Sequence, residues 1–179
     1  MSWSRRRTLG IFCLAVLPAF GSGCGFHPLY GKRGESESAV TALAQTRIHV
    51  VRAREPKYDR LGQVLHNNLL DRVNPAGRPR APLYALAVNI DVSREDTGIQ
   101  ITEQATRARL TVRANFALND SRGGKILMKG SERSVNSYNI LDSEFAALSA
   151  ERDAEERAVR EIADSITARL ALFFDGRNP

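Results

Sequence analysis

The chain has 179 residues, 42% of them hydrophobic and 26% charged, with a formal net charge of +6 and two cysteines. Arg5, Arg6 and Arg7 carry three of those positive charges, and no acidic residue lies in positions 1–23. Subtracting them leaves +3, a mildly basic balance that gives little support for nucleic acid as a partner and is compatible with anionic headgroups.

The N-terminus reads as a cleavable export signal. Its arginines form a basic n-region, Leu9 to Phe20 is an apolar run broken by Pro18, and Gly21, Ser22 and Gly23 are small. The run is shorter than the roughly 20 apolar residues that span a bilayer. Cys24 follows at once. Small side chains before a Cys are what a lipoprotein signal peptidase needs, although Gly21 stands where Leu is usual. The arginines also resemble a twin-arginine signal, but Thr8 replaces the usual Phe, which favours the general secretory route. Cys13 would leave with the signal, so Cys24 becomes the one remaining thiol, no internal disulfide can form, and an acylation site is the better reading. Gly25 rather than Asp follows the Cys, which directs the lipoprotein to the outer membrane by analogy with enteric bacteria.

Three regions are expected: a cleaved signal over 1–23, a lipid anchor and tether over 24–46 with a partly ordered end, and one domain over 47–179. In chain order, Arg47–Arg52 reads as a short strand. Pro56 opens a helix whose Tyr58, Leu61, Leu65 and Leu69 form one apolar stripe, with Val64 beside it, and Asn74-Pro75 and Gly77 end it. The period then changes to two. Tyr84, Leu86, Val88, Ile90 and Val92 alternate with smaller or polar residues over 83–93, and Ala108, Leu110, Val112, Ala114, Phe116 and Leu118 do so over 107–118. Asp96-Thr97-Gly98 is expected to turn the first hairpin and 119–124 the second. The strand from Lys125 to about Tyr138 alternates weakly, as at an edge or bend. Asp142-Ser143 can cap a long last helix, with Phe145, Leu148, Val159, Ile162, Ala163, Ile166, Leu170 and Phe173 on one stripe. Arg152 and Glu155 interrupt that stripe, so its second half should pack on the sheet. The order β-α-β-β-β-α predicts an α+β two-layer sandwich, two helices on one face of a mainly antiparallel four-stranded sheet.

No reactive constellation is apparent. His27, His49 and His66 fit no metal-ligand spacing. There is no Gly-x-Ser-x-Gly elbow, no phosphate loop and no Cys nucleophile beyond Cys24. Glu151, Asp153, Glu155 and Glu156, interleaved with Arg152, Arg157 and Arg160, read as a solvated helix face. Binding or assembly is the expected work, with no enzyme activity, metal or diffusible cofactor.

Cys24-Gly-Phe-His-Pro-Leu-Tyr-Gly31 resembles the mature N-terminus of lipopolysaccharide (LPS) assembly lipoproteins of the LptE family, especially the alphaproteobacterial type. The segment 106–112, the glycine-containing hairpin and Tyr138–Phe145 also look similar. The resemblance implies an outer-membrane lipoprotein carrying diacylglyceryl and N-acyl lipid, palmitate among them, on Cys24. It implies a plug for a large β-barrel partner, the LPS translocon subunit LptD, which it helps to fold, and LPS binding during delivery to the cell surface. The alternative is a scaffold or interaction lipoprotein of another envelope machine. Phe26, Pro28, Leu29 and Tyr30 then either pack at the membrane–barrel rim or touch the domain's own sheet. For the ligand, Arg107, Arg109 and Arg113 share one strand face, and Lys129 and Arg133 can extend it if the register allows. Arg72, Arg78 and Arg80 are the next basic group.

Overall fold

The computed structural model describes residues 35–99 and 105–176. Three helices pack on one mixed sheet. Helix α1 spans Glu35–Ala44, strands β1 and β2 span Thr46–Ile48 and Arg52–Ala53, and a 3-10 turn over Pro56–Tyr58 leads into α2, Asp59–Val73. Then come β3 (Tyr84–Ile99), β4 (Ala105–Asp120), β5 (Ile126–Asn139) and the long helix α3 (Glu144–Asp175). The α+β sandwich expected from the periodicity is the observed architecture.

Two elements differ from the sequence reading. Residues 35–44, expected as the end of a tether, form α1. Ala39 and Leu43 are buried, so this helix belongs to the core, and its small residues hid an apolar stripe only two side chains wide. The single short strand expected near 47–52 is two pieces, both paired parallel to β3, Thr46 opposite Tyr84 and Arg52 opposite Asn89. Between them the chain bends so that Val51 is buried while Val50 faces solvent. Gly62 of α2 marks the close approach there: a Cβ on it would sit 3.0 Å from the Val51 carbonyl oxygen.

The sheet order is β1-β3-β4-β5, with β2 also on β3. β3 and β4 pair antiparallel from Tyr84/Asp120 to Ile99/Ala105. Asp96 and Thr97 therefore lie inside the ladder, opposite Ala108 and Arg107, and do not form the hairpin turn. The apolar alternation fades after Val92 while the backbone pairing continues, because this end of the sheet meets the polar first half of α3: Arg94 donates to Asp96 at 2.9 Å and to Glu151 at 3.2 Å. The second turn is where expected, with Gly124 at φ +65° and its N–H donating to the Asp120 carbonyl.

Even-numbered positions of β3 and β4 point inward. Leu86, Val88, Ile90, Leu110, Val112, Ala114 and Leu118 are buried against Leu61, Leu65 and Leu69 of α2 and Ile162, Ile166 and Leu170 of α3. The first half of α3 is more exposed, as its charges imply: Phe145 is 80% exposed and Leu148 44%. Ser143 is the N-cap residue, without a side-chain capping bond.

The inward positions of β5 are different. Glu132 pairs with Arg169 at 2.7 Å, and Ser134, itself buried, donates to Glu161 at 2.5 Å. Asn136 donates to Ser134 and accepts from Arg157. This flank of the sandwich is joined by a polar network, which is why β5 alternates so weakly in the sequence. Gly130 is required there, since a Cβ would overlap the Phe116 ring.

Candidate functional site

With α1, α2 and α3 on one face, the odd-numbered positions of β3 and β4 form the opposite, open face. Arg107, Arg109 and Arg113 all lie on it and are exposed. The β4–β5 register sets Arg113 directly opposite Arg133 and Ala117 opposite Lys129, so all five predicted cations share one surface. The first edge adds three more, Arg47, Arg52 and Arg54, all exposed. Parallel pairing places Arg47 beside Ala85 and Arg52 beside Asn89. Against these cations stand Asp91, 3.6 Å from Arg54, and Glu95, 3.9 Å from Arg109. Arg107, Arg113, Arg133 and Lys129 have no ion-pair partner among the described residues.

Small side chains make the middle of this face concave. A hollow of about 440 Å³ lies over Ala87, Ala117, Asn89 and Asn115, with Lys129 on its wall. A second, of about 320 Å³, lies between Asn89, Asn115, Asp91, Arg52 and Arg54. Asn89 and Asn115 are opposite each other in the β3–β4 ladder and belong to both hollows. The arrangement offers guanidinium forks for phosphate or carboxylate around a floor of amides and methyl groups. The arginines of the β1–β2 edge and the small floor were not found from sequence, because parallel partners and strand order leave no periodic mark. The one available signal was the alternation of Arg47 with apolar neighbours.

The other basic group is dispersed. Arg72 is tied to Asp164 at 2.5 Å and to Asn68, so it joins α2 to α3. Arg78 lines another recess of about 240 Å³ with Leu70 and Asn74, which Arg47 borders from the β1 edge. His66 and His49 meet through the His49 carbonyl at 3.1 Å, not through their rings. Among the described residues, no group of three His, Cys, Asp or Glu is placed to hold a metal ion, and no helix is long and apolar enough to cross a membrane. Cys24, Phe26, His27, Pro28, Leu29 and Tyr30 lie outside the described residues.

A polar cluster closes the far end of the sandwich. Tyr138 is 6% exposed, and burial, followed by the Glu151 carboxylate, pushes its hydroxyl up to about 12. Arg94 sits 5.8 Å from the centre of its ring. Burial, and then Glu151 one turn away, also raise the Glu155 carboxyl.

Several solved bacterial proteins are similar to this chain. A candidate lipoprotein from Caulobacter crescentus CB15 is 25% identical, with a TM-score of 0.59 over 79% of this chain and 98% of its own. A candidate neuraminyllactose-binding hemagglutinin homologue from Helicobacter pylori is 12% identical, with a TM-score of 0.50 over 84% and 95%, a likeness of fold alone. The rare lipoprotein B of Shewanella oneidensis is 15% identical, covering 70% and 92%, at a TM-score of 0.44. Among curated proteins, none matches this chain. The model of the LptE family, described as lipopolysaccharide-assembly, matches residues 46–170. That span runs from the first residue of β1 into the last turns of α3 and takes in every strand, so this chain belongs to the LptE family of lipopolysaccharide-assembly proteins.

Proposed function

We propose that the chain is a non-enzymatic subunit of the LPS translocon. It is an outer-membrane lipoprotein, held by diacylglyceryl and N-acyl lipid on Cys24. It plugs and helps to assemble a large β-barrel partner, LptD, and binds LPS on its way to the cell surface. Phe26, Pro28, Leu29 and Tyr30 contact that barrel near the anchor. The observation that carries the ligand part of this reading is the open sheet face, where Arg107, Arg109, Arg113, Lys129 and Arg133 converge with few carboxylates among them. LPS offers phosphates and carboxylates at a spacing such a face can meet, since alternate side chains along a strand are about 6.6 Å apart.

Two measurements test the two halves of the proposal. Native lipoprotein isolated from its membrane should bring a large barrel protein with it; isolation without one removes the plug role. Changing Arg107, Arg109 and Arg113 together to Gln should cut LPS binding by the protein about tenfold or more while leaving its melting temperature unchanged. A folded triple variant with unchanged LPS affinity removes this face as the site.

A further inference from the structure

The sheet has one long edge that nothing in the described structure covers. β5 runs for 14 residues, Ile126–Asn139, about 46 Å at roughly 3.3 Å per residue. Among the described residues it pairs with β4 alone. Its outer row of backbone N–H and C=O groups is a ready template for another strand. The inward side chains Glu132, Ser134 and Asn136 are gripped by α3, so the strand is held from one side. The open side carries Lys129, Ser131, Arg133, Val135 and Ser137, and Val135 is 46% exposed.

The charges on this edge lack their complement. Arg133 faces Arg113 across the ladder, a like-charge pair, which disfavours the sheet as it stands. Among the described residues the carboxylates of this face, Asp91 and Glu95, lie on β3, beyond β4, where Arg54 and Arg109 hold them. The place from which a carboxylate can meet both Lys129 and Arg133 is therefore the free side of β5. A second copy paired through its own β5 cannot supply it. No outward position of β5 is acidic, and the strand's one carboxylate, Glu132, points inward onto Arg169. Pairing two β5 edges antiparallel about Ser131 sets Lys129 against Arg133 twice.

We infer that the free edge of β5 is a docking strand for an extended acidic segment of a partner protein. The segment adds to the sheet by backbone pairing. Its outward side chains follow a pattern in antiparallel register: an apolar residue beside Val135, a carboxylate opposite Arg133, a small residue opposite Ser131, and a second carboxylate opposite Lys129. This inference shares Lys129 and Arg133 with the proposed LPS surface but uses neither Arg107 nor Arg109, so variants of that second pair tell the two apart.

The test uses the detergent-solubilised full-length chain and a fluorescein-labelled peptide, Thr-Val-Thr-Glu-Thr-Ser-Thr-Glu-Thr. Peptide binding should raise the anisotropy and slow hydrogen exchange of the β5 amides. Replacing both peptide glutamates by glutamine, or making Lys129→Glu with Arg133→Glu in the chain, should each weaken binding about tenfold. The substitutions Arg107→Gln and Arg109→Gln should leave it unchanged, which distinguishes strand docking from LPS binding. The peptide exchange keeps the test valid should the double variant fail to fold. Absence of binding overturns the inference. So does binding that ignores the charge reversals, binding without slowed β5 exchange, or a dimer of the chain formed through β5 itself.

Discussion

The two flanks of the sandwich are built on different physics. Along most of β3 and β4, inward positions are apolar and buried, Leu86, Leu110 and Leu118 among them, against Leu65 of α2 and Ile166 of α3. Under β5, the same inward positions are Glu132, Ser134 and Asn136, and α3 answers them with Arg169, Glu161 and Arg157. Apolar burial has no direction and adds up by area. A polar seam instead requires each donor to meet its acceptor, contributes modestly, and fixes where α3 lies along β5. The molecule therefore takes its stability from one flank and the alignment of its last helix from the other.

Substitutions can break this comparison in order of size. Leu65→Ala, at a site with no exposure, should cost about 2–5 kcal/mol, whereas Ser134→Ala should cost about 1 kcal/mol. Chemical denaturation of the two variants checks this, and equal losses would show that the polar seam is as strong as the aliphatic core. Next comes Glu155. Its folded carboxyl is raised above the unfolded value, so its protonated form favours folding. That contribution is complete below the unfolded carboxylate range and is lost as pH rises through the raised value. Glu155→Gln should therefore raise the melting temperature at neutral pH, and the gain should vanish in acid; a gain that persists in acid would assign it to something other than the charge. The smallest effect belongs to the open face. Arg133→Ser relieves its opposition to Arg113 and should stabilise by about 0.2–0.5 kcal/mol at low salt. The gain should fade as salt is added.

These differences also explain what could be read in advance. The aliphatic flank was legible because burial repeats with the period of the element: Leu61, Leu65 and Leu69 mark α2, and Leu86 to Val92 and Ala108 to Leu118 mark β3 and β4. The polar flank was legible only as a weak signal, since Glu132 and Ser134 look like solvent-facing residues until α3 is in place. The hairpin end was misjudged because Asp96 and Thr97 are common turn formers, and hydrogen bonding along the ladder does not depend on side chains. Helix α1 was missed because Ala39 and Leu43 are too few to make a stripe. Of the candidate site, Arg107, Arg109 and Arg113 followed from alternation alone. Their neighbours Arg52, Arg54 and Arg133 depend on strand order, which alternation does not encode.

The parallel pairing of β1 and β2 has a consequence for the order of assembly. β3, β4 and β5 form a meander whose contacts are close in sequence, and a turn such as that at Gly124 lets them zip together with little loop to close. Thr46 must instead wait for Tyr84, with all of α2 looped between them, and the entropy of closing that crossover is set against only three ladder residues in β1 and two in β2. As the chain is synthesised N-terminus first, these strands emerge before anything exists to receive them. The edge carrying Arg47, Arg52 and Arg54 is thus completed late, so the open face acquires its full set of cations only when folding is nearly over.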